Sequence, residues 1–234
     1  MAIQRTANPW RSVRIRYSTL RNNVNKFMKV VDNFELFKSV MKFDSEDDFY
    51  FVQILIRGKD GHTEQGVNGN NKNRLIKIYT IKSAEHLSRV EEEIKAICHA
   101  INARAYIHPS RRSFREVANE MFRNFTQTFL SHNDIGLKGC YSTACGKSFV
   151  TKHKLYVIDL DNELAEIDKV NEITQFIEEE CEPFDTLKLQ YIVPTAHGKH
   201  LICKPFNTTK FGQKYPEIDV HKNSPTLLYF ESLN

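Results

Sequence analysis

The second half of the chain sets the narrowest limits on the fold. "KLYVIDLD" is an apolar run of strand length, and "NELAEIDKVNEITQFIEEE" repeats its apolar residues at helical spacing. "LKLQYIVP", "HLICKPF" and "TLLYFES" then read as further strands. The order β-α-β-β, a variable segment, and β suits a small mixed sheet with helices on one face, close to a ferredoxin-like or RNA-recognition-motif topology.

The first half is also mixed. "NKFMKVVDNFELFKSVMKF" puts Phe27, Val30, Val31, Phe34, Phe37 and Val40 at the spacing of one helix face. "DFYFVQILIRG" and "LIKIYTI" predict a long hairpin around the polar, glycine-rich stretch 58–74. Ser83 is placed to cap a helix bearing Leu87, Val90, Ile94, Ile97, Cys98 and Ile101. "ARAYIHPS" is a strand stopped by Pro109. Ser113 and Glu116 then form a capping box for a helix whose stripe, Val117, Met121, Phe122, Phe125 and Phe129, predicts burial. The expected fold class is therefore α+β, an N-terminal α/β subdomain packed on a C-terminal RNA-recognition-motif-like sheet. Residues 1–31 form a basic arm, 32–148 the first subdomain and 149–234 the second. The division falls after a glycine- and cysteine-bearing stretch, 131–148.

Composition rules classes out. Hydrophobic residues at 41% and charged residues at 26% are ordinary for a globular protein. No apolar run reaches membrane-spanning length, so the expectation is a cytoplasmic chain without membrane contact. Five cysteines at irregular spacings fit a reducing compartment better than a disulfide framework. "CYSTAC" offers Cys140 and Cys145, with His132 and His153 as partners for zinc, but the spacing is wide for a structural site and zinc is not expected. The net charge of +4 is modest but uneven. Residues 1–31 carry Arg5, Arg11, Arg14, Arg16, Arg21, Lys26 and Lys29 and no acid, a pattern that can neutralise phosphates. Arg111, Arg112 and Arg115 cluster where a helix N-terminus would also attract phosphate.

"LYVIDLDNE" raises the chemical question. Residues two apart on a strand share a face, so Asp159 and Asp161 present paired carboxylates about 6.5 Å apart at Cα, a span that divalent cations bridge. The same aspartates also suit the cap of the following helix. "VPTAHGKHLI" is a turn whose Gly198 allows close backbone approach, and His200 opens the returning strand. "PEIDVHKN" supplies Asp219. Strand-borne carboxylates with a nearby histidine form a ligand set for hard cations, Mg²⁺ or Mn²⁺, which act in pairs in phosphoryl transfer.

In their order and separation these segments resemble the archaeo-eukaryotic primase superfamily, which includes compact primase-polymerases of phages and plasmids. "YVIDLD" resembles its first motif, "PTAHGKH" its second and "EID" its third. The resemblance implies that Asp159, Asp161 and Asp219 hold the catalytic metals and that His200 contacts the phosphates of the incoming nucleotide. It extends a nucleotide-binding role to Thr195, His197, Gly198 and Lys199, and template contact to Arg111 and Arg112. Where the family usually has serine two residues before the histidine, this chain has Gly198, and Lys199 is a candidate replacement for the hydroxyl as a phosphate contact.

The expected function is then a metal-dependent nucleotidyltransferase, a primase or primase-polymerase joining nucleoside triphosphates on a single-stranded template. The basic arm and Arg115 would hold the template backbone. No phosphate-binding G-x-x-x-x-G-K-[ST] loop occurs, so unwinding would fall to a helicase in trans. The rivals are a non-catalytic nucleic-acid-binding protein, with Tyr156 or Tyr191 stacking on bases, and a metal-dependent nuclease.

Overall fold

The computed structural model describes residues 29–58, 73–132, 134–148 and 153–232. Arg11, Arg14 and Arg16 of the basic arm, and the predicted hairpin tip at 59–72, lie outside the described residues.

In chain order the elements are β1 (Val30–Asp32), α1 (Phe34–Val40), β2 (Asp48–Ile56), β3 (Arg74–Ile81), α2 (Ala84–Ile101), β4 (Arg104–Ile107), β5 (Arg112–Ser113), α3 (Phe114–Leu130), α4 (Asp134–Lys147), β6 (Tyr156–Asp161), α5 (Ile167–Glu180), β7 (Leu189–Pro194), β8 (Gly198–Cys203), α6 (Thr208–Lys214), β9 (Val220–His221) and β10 (Thr226–Glu231). The fold is α+β. A six-stranded sheet runs β1-β10-β4-β2-β3, with β5 joined to β2, and a four-stranded sheet runs β7-β8-β6-β9. Every pairing in both is antiparallel.

Strand β2 shows why its sequence is apolar on both faces. Tyr50, Val52 and Ile54 turn to a core with Phe34 and Phe37 of α1 and Leu87, Ile94 and Cys98 of α2. Phe49 and Phe51 turn to Val117 of α3 and to Ala144 and Cys145 of α4. A strand covered on both sides reads as a continuous hydrophobic run. In β6 the faces differ. Tyr156, Ile158 and Leu160 pack on Val170, Ile173 and Ile177 of α5 and on Phe211 of α6. Val157 faces inward with Val193 of β7 and Ile202 of β8, joining the core of the first sheet. The inner face of the second sheet, which carries Asp159 two residues on from Val157, is thus turned to the first.

Several expectations need correction. Within the segment read as one helix from Phe27, the described residues open with a strand, β1, paired with β10. Its β-branched Val30 and Val31 suit a strand, and the helix starts only after Asn33, whose side-chain amide donates to Leu227 O and Pro194 O at 2.9 Å each. The stripe on α3 is not buried as a whole. Val117 is buried, but Phe122, Phe125 and Phe129 are 69%, 48% and 62% exposed. Among the core clusters only the first two turns of α3 meet the phenylalanines of β2. "TLLYFES", expected in the second sheet, instead lies between β1 and β4 in the first. The connection after "HLICKPF" contains α6, capped by Asn207, whose side chain accepts from Thr209 N and Lys210 N. Ser83 and Ser113 do cap α2 and α3, accepting from His86 N and Glu116 N.

Candidate active site

Asp159 occupies the centre of the second sheet, with β8 on one side and β9 on the other. Its direct partner on β8 is His200. On the other side its N–H donates to Asp219 O at 3.2 Å, continuing the register that pairs Ile158 with Val220. Cross-strand partners point to one face, and Asp161, two residues on, points there too. Asp159 and Asp161 therefore share a surface with His200, and backbone pairing brings Asp219, from a distant part of the sequence, alongside Asp159.

The histidine is braced at both ring nitrogens. Nδ1 lies 2.7 Å from Thr226 Oγ1 at the start of β10, and Nε2 lies 3.1 Å from Asp159 Oδ1. A carboxylate only accepts, so Nε2 carries the proton in that contact. The bond from His200 is the main reason the Asp159 carboxyl is held below the usual carboxylate range. Burial opposes this shift, and the charges of His200, His221 and Arg57 reinforce it. Asp161 stands at the N-cap position of the 3-10 segment Asn162–Ala165 yet makes no capping hydrogen bond, so capping does not consume it. Asp161 and Asp219 are both exposed.

A cleft of about 120 Å³ opens beside these groups. Asp159, Asp161, Thr195, His197 and His200 line it from the second sheet, and Arg57, Arg104, Tyr106 and Leu227 face them from the first. Asp219 lies outside this lining, immediately before β9. The sequence reading missed the first-sheet wall. Arg57 follows an apolar strand directly, a placement that marks a charged group at a strand end, but nothing local identifies Tyr106 or Leu227. Thr226, which orients His200, was also unmarked.

The other nominated residues fall elsewhere. Gly198 is needed for strand pairing, because a Cβ there would lie 2.8 Å from Asp161 Cα and closer still to Leu160 O. Its N–H donates to Thr195 Oγ1 at 2.9 Å, closing the turn. Lys199 does not join His200. It pairs with Leu160 on the opposite face, and its Nζ donates to Ala165 O at 2.8 Å. Arg111 and Arg112 are buried, so neither is presented to a nucleic-acid backbone. Arg111 bonds Asp44 at 2.7 Å and Asp48 at 2.9 Å. Arg112 donates to Cys145 O, Ser110 O, His108 Nδ1 and Asn223 Oδ1, and burial lowers its pKa to about 10. His108, buried beside that guanidinium, is pushed well below its ordinary value and accepts as a neutral ring. Arg115 is exposed at the start of α3. Tyr156 is buried against Phe206, ring centroids 5.8 Å apart, and offers no stacking face. Cys140 and Cys145 are free and buried on α4, and burial pushes the Cys145 thiol up to about 11. His153 pairs with Asp44 at 3.0 Å.

Compared with protein-family models, curated proteins and solved structures, the chain matches none. No helix among the described residues is long and apolar enough to cross a membrane.

Among the described residues no three His, Cys, Asp or Glu side chains are drawn together as a metal-holding group. The donor chemistry of Asp159, Asp161 and Asp219 nevertheless suits a hard divalent cation. Cross-strand and i,i+2 spacings put the Cα atoms of Asp219 and Asp161 each about 5–7 Å from that of Asp159, with Asp161 and Asp219 farther from each other on the diagonal. Neither Asp161 nor Asp219 has a basic side-chain partner among the described residues. Adjacent carboxylates repel unless a cation lies between them.

Proposed function

We propose that the chain is a metal-dependent nucleotidyltransferase, a primase or primase-polymerase that joins nucleoside triphosphates on a single-stranded template. The observation that carries this reading is the position of Asp159, central in its sheet, with His200 opposite on one neighbour, Asp219 hydrogen-bonded through its backbone just ahead of the other, and Asp161 on the same face. The RNA-recognition-motif-like reading of the second sheet is supported by its β-α-β-β-α-β sequence and its β7-β8-β6-β9 arrangement, a split β-α-β unit.

Mg²⁺ or Mn²⁺ held by Asp159, Asp161 and Asp219 would lower the pKa of an attacking hydroxyl and neutralise the departing pyrophosphate. The protein's own part is positioning. Thr226 and Asp159 fix the His200 ring, so its orientation is set before substrate arrives. Arg57, with His197 and His200, supplies the cationic and hydrogen-bonding wall that phosphates require. Arg57 takes the place expected of Lys199 as the phosphate contact. A helicase partner would supply the single strand.

The test combines the protein, labelled nucleoside triphosphates, Mn²⁺ and a single-stranded template. Extended products support the proposal, a shortened template indicates a nuclease, and retention without conversion indicates a binding protein. Asp159→Ala is expected to cut synthesis on the order of a hundredfold or more while template affinity stays near wild type. Equal loss of both would refute the metal-holding role.

A further inference from the structure

A second cavity, about 560 Å³, opens at the far end of β6 from the carboxylates. It lies within the roughly 300–1,000 Å³ typical of small-molecule sites. Lys154 on its wall and Asp159 stand toward opposite ends of a strand that rises about 3.3 Å per residue, so the two sites are roughly 15 Å apart.

Its charge is one-sided. Lys42, Lys154, Lys204 and His153 line it against a single lining carboxylate, Asp44, while the charge of Arg111 in the same wall is balanced by Asp44 and Asp48. That carboxylate is already engaged, by Arg111 at 2.7 Å and His153 at 3.0 Å. Lys42 and Lys204 have no acidic partner among the described residues. Ammonium groups facing one cavity repel each other, and an anion relieves that repulsion.

The walls are aromatic and apolar. Tyr50 and Tyr191 enter from the two sheets, joined by Leu155 and Val40. Tyr191 is held by Phe37, which meets its ring at 87° with centroids 6.0 Å apart. Tyr50 has its hydroxyl tied to the backbone of Lys42. The Tyr191 hydroxyl, by contrast, has no hydrogen-bond partner among the described residues. Burial and the neighbouring Tyr50 raise its pKa, so it remains a donor.

We propose that this cavity binds a free nucleoside polyphosphate, its phosphates at Lys42 and Lys204 and its base against Tyr191 and Leu155. The site is separate from the carboxylate cleft and needs no divalent cation. It therefore stands whether or not the chain polymerises.

The experiment titrates the full chain with ADP by calorimetry in excess EDTA, which silences any metal-dependent nucleotide site. Saturable binding is expected, with inorganic pyrophosphate competing. Lys42→Gln combined with Lys204→Gln should weaken ADP at least about tenfold, since each removes a charge-assisted contact. Tyr191→Phe, which preserves packing, should weaken it about fivefold through one lost hydrogen bond. Asp159→Ala should leave it unchanged. The proposal is overturned if ADP fails to saturate at millimolar concentration, if the lysine substitutions leave affinity intact, or if Asp159→Ala removes binding.

Discussion

Replacing Gly198 by alanine tests how the site is assembled. A methyl group there would stand 2.8 Å from Asp161 Cα and 2.9 Å from Leu160 C, distances below 3.0 Å that real Cβ atoms essentially never show. These are backbone atoms of β6, so no change of rotamer relieves the clash and the two strands must part. Overpacking of this kind costs roughly 1–3 kcal/mol. Loss of a ladder hydrogen bond where Asp161 faces Gly198 adds about 1 kcal/mol. The expected penalty is about 2–4 kcal/mol. With a urea slope of roughly 2–3 kcal/mol per molar, the unfolding midpoint should fall by about 1 M. Gly212→Ala is the internal control. It lies in α6 with nothing within 4 Å of the added carbon, so it should stabilise by about 0.5–1 kcal/mol. Gly198→Ser should behave like the alanine variant, since its Cβ meets the same backbone atoms. A Gly198→Ala midpoint equal to wild type, with Gly212→Ala shifted upward, would refute the close-approach reasoning.

Arg112→Ala should cost about 3 kcal/mol or more in urea unfolding, because it strands buried acceptors at Cys145 and Ser110. The exposed Arg115→Ala should stay within about 0.5 kcal/mol, and equal small effects would contradict the buried network. Thr226→Val keeps the shape but removes the partner of His200 Nδ1. It should cost about 1–2 kcal/mol and lower template-directed synthesis roughly tenfold, and full activity would show that the brace is unnecessary. The lowered folded-state pKa of Asp159 means its ionised form stabilises the fold above the unfolded-state value near 4, and that contribution is lost as pH falls through the folded value. The stability gap between wild type and Asp159→Asn should therefore be fully open at about pH 5 and begin to narrow only below about pH 4, as pH falls toward the lowered folded value, and a gap that widens on acidification would reverse the assignment.

What local patterning encodes was legible. Ser83 and Ser113 announce helix starts through side-chain chemistry that needs no tertiary contact. The paired spacing of Asp159 and Asp161 follows from the two-residue period of a strand. What long-range packing decides was not legible. Val30 and Val31 have helical spacing with Phe34, yet β10, nearly two hundred residues on, recruits them into a ladder. Phe122, Phe125 and Phe129 form a helical stripe, but a stripe does not say how far the covering sheet extends. Arg111 and Arg112 carry the charge of a phosphate site, while Asp44, Asp48 and the Cys145 carbonyl turn them inward.

The return of the chain to the first sheet has the largest consequence for the site. β10 lies between β1 and β4, so it is an interior strand of the first sheet although it follows the whole of the second. Its first residue, Thr226, holds His200, and the next, Leu227, lines the cleft. Neither 32–148 nor 149–234 therefore contains a complete unit. The former lacks a central strand, and in the latter that strand would expose both edges, a row of unpaired backbone groups. The His200 orientation then depends on correct insertion of β10, and the geometry of the carboxylate face reports on assembly of both sheets together.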